Sequence, residues 1–174
     1  MAERIVTIFG SGRGTESDNA YELAEQIGRQ LAEAGFTIAN GGYGGTMLAS
    51  AKGAAKAGGK TIGVTCSAFG PGKANQYISR EIVTASLDER LETLVRLGRA
   101  YVVLPGGTGT LLELAKVWEL KNKGFLEAGK PIILTGEFWK PLVELIATED
   151  PQSYEYVRFA AGPGQVKSYL LENI

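Results

Sequence analysis

A carboxylate close behind a glycine-rich turn and an arginine set among leucines are the residues of this chain best suited to chemistry. The first is Glu113, following Pro105-Gly-Gly-Thr-Gly-Thr110, and the second is Arg90. Gly106, Gly107 and Gly109 allow a tight turn and close backbone approach to a ligand. Unpaired amides and the positive end of a following helix then favour an anion. Gly106, Gly107, Thr108, Gly109 and Thr110 therefore form a candidate phosphate cradle, with Glu113 expected in the first helical turn beside it. The 174 residues contain no histidine and a single cysteine, Cys66. A histidine-dependent triad, a zinc site and a disulfide framework are all disfavoured. Catalysis would have to rest on carboxylates, Arg, Lys, Tyr or the backbone.

Both residues also have plain structural readings. Thr110-x-x-Glu113 is a capping box, in which the glutamate folds back onto its own helix. Arg90 shares a helix side with Leu87 and Leu94, so its stem could pack on the core while its head reaches water. The alternative is that Arg90 meets an anion or a carboxylate where its helix approaches the Pro105 turn.

The elements around these residues alternate. Ala100–Leu104 is an apolar strand entering the turn, and a helix from about Thr110 to Lys123, with Leu111, Leu114, Ala115, Trp118 and Leu120 mostly in the core, leaves it. Earlier, Ile5–Phe9 reads as a strand, Gly10-Ser-Gly-Arg-Gly14 as a turn that carries Ser11, and Asp18 as the N-cap of a helix ending at Gly35. A second strand, Phe36–Ala39, leads into Gly41-Gly-Tyr-Gly-Gly-Thr46 and a helix from about Met47 to Ala57. Gly42, Gly44, Gly45, Thr46 and Met47 are thus a second candidate cradle. Thr61–Thr65 is a third strand, Ser67–Ser79 a polar loop and candidate lid, and Glu81–Thr84 a short fourth strand. Ser86-x-x-Glu89 caps a helix to about Gly98 whose buried stripe is Leu87, Leu91, Leu94 and Val95. Strand Ile132–Thr135, a helix Phe138–Ala147 with Leu142, Val143, Leu145 and Ile146, an edge strand Tyr156–Phe159 and a helix Gly164–Glu172 complete the chain.

Such alternation predicts an α/β class fold: one Rossmann-like domain over residues 1–174, doubly wound, with a mainly parallel sheet and helices on both faces. Ligands then bind at the carboxyl ends of the strands, near the switch in strand order. A dinucleotide site is disfavoured, because Thr15 stands where the third glycine of G-x-G-x-x-G belongs and Asn40 where an acidic residue would hold the ribose. With 18 basic and 19 acidic residues, net charge −1, neither nucleic acid nor a membrane surface is an expected partner. No apolar run is long enough to span a bilayer and the Met1-Ala-Glu-Arg start has no leader pattern, so a cytoplasmic location is expected.

The run Pro105-Gly-Gly-Thr-Gly-Thr-Leu-Leu-Glu113 resembles the P-G-G-x-G-T-x-x-E signature of the Lonely Guy (LOG) family, the cytokinin riboside 5'-monophosphate phosphoribohydrolases. The resemblance extends to the opening strand with Gly10-Ser11, the Gly41–Met47 loop and the Arg90 helix. It implies that Arg90 works with Glu113, and that the substrate is a purine ribonucleoside 5'-monophosphate hydrolysed at its N-glycosidic bond. It further implies a homodimer; no metal and no cofactor is expected. Lysine decarboxylation, a label often given to such sequences, finds no lysine framed for a Schiff base. Leu91 stands where the family usually has Lys, Gly44-Gly-Thr-Met-Leu48 departs from the usual loop, and Lys121–Lys130 lacks a common histidine; these bear on substrate identity. Molybdenum-cofactor carriers have similar loops, so binding without bond cleavage is the rival reading.

Overall fold

Seven strands form one parallel sheet, and the central ones are apolar runs covered on both faces, while the two edge strands are partly exposed. The structure, a computed structural model, describes residues 3–127 and 129–174; the start of the chain at Met1 and Ala2 lies outside them. The strands are β1 (Ile5–Phe9), β2 (Thr37–Asn40), β3 (Thr61–Cys66), β4 (Arg80–Thr84), β5 (Ala100–Val103), β6 (Ile132–Thr135) and β7 (Arg158–Ala160). Six helices alternate with them: α1 (Asn19–Glu33), α2 (Gly45–Lys56), α3 (Leu87–Leu97), α4 (Thr108–Asn122), α5 (Lys140–Glu149) and α6 (Pro163–Asn173). Spatial order is β4-β3-β2-β1-β5-β6-β7. Pairing thus runs outward from β1 in both directions, and the switch falls between β1 and β5, the Rossmann-like doubly wound arrangement expected from the sequence.

One face of the sheet is covered by α1, α2 and α6, whose Ala24, Ile27, Leu31, Ala49, Ala54, Val166 and Leu170 pack on Val6, Ile8, Val102 and Leu104. The other is covered by α3, α4 and α5, with Leu94, Leu114, Val117, Trp118 and Val143 against Phe9, Tyr101, Val103 and Leu134. Two tryptophans fasten this second layer. Trp118 donates its indole N–H to the Ser153 carbonyl at 2.9 Å, and Trp139 donates to that of Leu104 at 3.0 Å, so both are structural.

Several boundaries and faces differ from the sequence reading. Helix α4 begins at Thr108 because Gly107, extended at φ −94° and ψ −154°, is its N-cap. Thr110 is therefore already helical, and Glu113 falls in the second turn. Asp18 sits at the N-cap of α1 but gives it no side-chain bond; its carboxylate instead accepts from the Thr15 amide at 2.7 Å. Ser86 does cap α3, accepting from the Glu89 amide at 3.1 Å. Leu87, Leu111, Ala115, Leu145 and Ile146, expected in the core, are exposed. α4 and α5 each turn one side to the sheet and leave the residues named here from these helices exposed on the other.

Candidate active site

Where β1 and β5 part, the turns that follow them face each other across a cleft of about 490 Å³. Gly10, Ser11, Gly12 and Arg13 form one wall, Gly107 to Thr110 the opposite one, and Tyr43, Met47, Phe69, Arg90 and Glu113 the remainder. A hollow of about 670 Å³ lies at the other end of the sheet around Glu3, Arg4, Lys60 and Arg99. It has little chemistry to offer: Glu3 accepts from the Thr37 hydroxyl and Arg4 donates to the Ala34 carbonyl. The cleft at the carboxyl ends has both a polar cradle and a buried charge pair.

The cradle is the start of α4. Among the described residues, the amides of Thr108, Gly109 and Thr110 find no acceptor, as the first turn of a helix requires unless something outside it accepts. They sit at the positive end of a four-turn helix. The start of α2 is arranged differently. There the Thr46 amide and hydroxyl both donate to the Ser11 carbonyl, at 2.9 and 3.1 Å, which locks the two glycine turns together. Asn40, fully buried, holds the same turn by donating to the Met47 carbonyl and the Ser50 hydroxyl and accepting from the Gly42 amide. That side chain shapes backbone and is spent.

Arg90 is nearly buried, at 8% exposure. Its Nε donates to the Val64 carbonyl at 2.8 Å and Nη2 to the Gly41 carbonyl at 3.1 Å, while Nη1 stands 3.8 Å from Glu113 Oε1. A side chain at position 41 would collide with that guanidinium, which is why the strand-end residue there is glycine. The rings of Tyr43 and Phe69 lie 5.5 and 5.6 Å from the guanidinium carbon, within cation–π range. Neither plain structural reading survives: Arg90 does not reach out to water, and Glu113 makes no capping bond among the described residues.

At 3.8 Å the pair is an ion pair but not a hydrogen bond. The Glu113 side chain is only 12% exposed, and burial pushes its carboxyl up to about 7 even though Arg90 pulls the other way. A carboxyl poised near neutrality and aimed at a cleft has the proton affinity that acid–base chemistry needs.

Of the residues expected from the sequence, the structure brings Ser11, Met47, Arg90, Gly107, Thr108, Gly109, Thr110 and Glu113 together around one cleft. Gly42, Gly44, Gly45, Thr46 and Gly106 do not line it; they build the turns behind it. Three residues went unread. Arg13 carries an exposed cation without an ion pair among the described residues, while Tyr43 and Phe69 supply aromatic wall. Their spacing relative to the signature is irregular, and only the folded turns align them. The Ser67–Ser79 loop is also less free than a lid. Asn75 donates to the Gly42 and Tyr43 carbonyls, and Glu81 accepts from the Thr65 hydroxyl and the Ala74 amide, so its second half is fixed to the sheet.

Residues 3–156 match the family model described as the SLOG cluster4 family. The chain belongs to the SLOG cluster4 family. A relative of this SLOG chain, the cytokinin riboside 5'-monophosphate phosphoribohydrolase of Rhodococcoides fascians, is 32% identical over 149 residues, 81% of this chain and 73% of that protein. The pyrimidine/purine nucleotide 5'-monophosphate nucleosidase of Escherichia coli K12 is 31% identical over 129 residues, 69% of this chain but only 28% of that protein. Among solved structures, the molybdenum cofactor binding protein of Rippkaea orientalis superposes with a TM-score of 0.80 at 26% identity, covering 99% of this chain and 98% of that one. The LOG resemblance is borne out by such relatives, and the SLOG fold is shared by glycosidic-bond hydrolases and by a cofactor-binding protein. Among the described residues of this SLOG member, no cluster of His, Cys, Asp and Glu could hold a metal ion, and no helix is long and apolar enough to cross a membrane.

Proposed function

We propose that the chain hydrolyses the N-glycosidic bond of a purine ribonucleoside 5'-monophosphate, releasing free base and ribose 5-phosphate. The observation that carries this reading is that one cleft holds both an amide cradle without protein acceptors among the described residues and a buried carboxylate with a raised pKa. The Thr108, Gly109 and Thr110 amides, with Ser11 and Arg13 opposite, hold the phosphate, a handle remote from the reacting bond that fixes the sugar. As the C1'–N bond breaks, positive charge grows on the ribose. Ionised Glu113 stabilises it and takes a proton from the attacking water, whose oxygen bonds to C1' while the departing nitrogen takes a proton from solvent. Arg90 is a poor proton donor; it orients Glu113 and a ribose hydroxyl placed between Nη1 and the carboxylate. No cofactor enters this scheme.

Incubation of the pure protein with AMP tests it: adenine and ribose 5-phosphate should appear in equal amounts. AMP recovered intact at full occupancy would favour the second reading, a nucleotide or molybdenum-cofactor carrier, which the likeness to the Rippkaea protein supports.

Gly109 offers a sharper check on the cradle. A Cβ at this position would meet nothing within 4 Å, and its φ is unexceptional, so the fold alone has no need of glycine there. Gly109→Ala should raise stability by about 0.5–1 kcal/mol, as alanine does inside a helix. It should also weaken AMP and phosphate binding at least tenfold by filling the space an anion would occupy. Denaturant melts and calorimetry together read both effects.

A homodimer is part of the proposal, formed through the bare sides of α4 and α5. Leu111, Ala115, Leu142 and Ile146 line a shallow groove there, and Leu145 beside it is 64% exposed. Sedimentation should give a dimer for the native chain and a monomer for Ile146→Asp.

A further inference from the structure

The cleft does not end at Arg90 and Glu113. On their far side lies a second compartment of about 360 Å³ that shares this pair, Thr108 and Gly109 with the first. Its remaining wall is Phe69, Leu87, Leu91 and Leu112, all apolar. The volume lies at the lower end of the range usual for small-molecule sites, about 300–1,000 Å³. Phe69 belongs to both compartments. It ends the 3-10 turn Ser67–Phe69 directly behind β3, and Gly70, at φ +114°, turns the chain away after it. The ring is 55% exposed, tilted 42° to Tyr43 at 6.1 Å, so packing does not account for it.

We infer that this second compartment is the base subsite and that Phe69 is its specificity-determining residue, stacking on the face of the base; the inference rests on the nucleotide hydrolase reading above. A phosphate at the start of α4 puts the sugar across Arg90 and Glu113, and the base then projects into this adjoining hollow, which shares both residues. In that hollow the sole polar side chains are Arg90, Thr108 and Glu113, which belong equally to the first compartment. Among the described residues no other side chain there reads the hydrogen-bonding edge of a base. Recognition therefore goes through the ring face, and stacking tolerates base identity because every base presents a π-face. The site discriminates by ring area: adenine and guanine nucleotides bind alike, and uridine nucleotides more weakly.

Calorimetric titration of AMP, GMP, UMP and ribose 5-phosphate into the Glu113→Gln protein, in which the nucleotide outlasts the measurement, tests this. AMP and GMP should agree within about threefold, UMP should bind more weakly, and ribose 5-phosphate weakest of all. Phe69→Ala should reduce AMP and GMP at least fivefold while leaving ribose 5-phosphate within twofold, and Phe69→Trp should restore nucleotide binding. Equal losses for all four ligands would mean that Phe69 only steadies Arg90, and would overturn the assignment. So would nucleotides that bind no tighter than ribose 5-phosphate, a strong preference between AMP and GMP, or no binding at all. Release of adenine from AMP by the native protein is a separate measurement: were it absent while this affinity pattern held, the hydrolase reading would fall and the base subsite would stand.

Discussion

Glu113→Gln should abolish most turnover of AMP, by about 10²- to 10⁴-fold, the range typical of a lost general base, while AMP binding persists. The amide removes the charge and the proton acceptor but keeps the shape, and the cradle at the start of α4 is untouched. The same variant has a stability signature. The carboxyl has an ordinary value of 4.5 and is raised to about 7 in the folded chain. Between these values the folded state keeps a proton that the unfolded state has released. The group's contribution is thus fully present below about pH 4.5 and is lost as the pH rises towards 7. The loss is on the order of 3 kcal/mol. Gln does not titrate, so Glu113→Gln and the native chain should be similarly stable near pH 5, with the variant ahead by pH 8. In the native protein kcat/KM should climb through the same interval as the carboxylate forms. A flat stability difference across pH 5–8, with normal turnover by the variant, would remove Glu113 from the chemistry.

Arg90 variants should fail for a different reason. Arg90→Met leaves the Val64 and Gly41 carbonyls without their side-chain donors and takes away the charge facing Glu113. An orphaned buried acceptor costs about 1–3 kcal/mol, so a loss of roughly 2–5 kcal/mol is expected in denaturant melts. Turnover should drop at least about 100-fold, the penalty for displacing a reacting group by an ångström. Any residual activity should have its rising limb at higher pH than that of the native chain, because the lowering influence of Arg90 on Glu113 is gone. Arg90→Lys keeps a charge but cannot fork between two carbonyls and a carboxylate, so it should recover part of the stability and little of the rate. If Arg90→Met retained native stability and rate, the buried fork would have no part in either.

Much of this could be read from residue order alone. Apolar runs separated by glycine turns and helical stripes gave the alternation, and alternation with short connections leaves little but a parallel, doubly wound sheet. Arg90 and Glu113 stood out because one is a charge inside a leucine stripe and the other a carboxylate behind three glycines. Distances between elements were not legible. Gly42, Gly44, Gly45 and Thr46 look as much like a cradle as Gly107 to Thr110 do, and only the donation from Thr46 to Ser11 shows that the first group serves the backbone. Likewise Leu111, Leu145 and Ile146 satisfy helical periodicity; that their side faces outward depends on how α4 and α5 roll on the sheet. Phe69 lies in a stretch without any period, so no pattern could have marked it.

Because β1 sits in the middle of the sheet with β2 on one side and β5 on the other, the functional groups arrive from segments near residues 11, 43, 69, 90 and 110, and from both halves of the strand order. No fragment that ends before α4 contains all of them, and the last to be joined must wait until chain about a hundred residues downstream of the first has docked. Assembly of the cleft is thereby tied to the docking of β5 and α4 beside β1. A nucleotide bound there would stabilise the folded sheet as a unit by mass action, so a shift in melting temperature with AMP would report global folding rather than a local event.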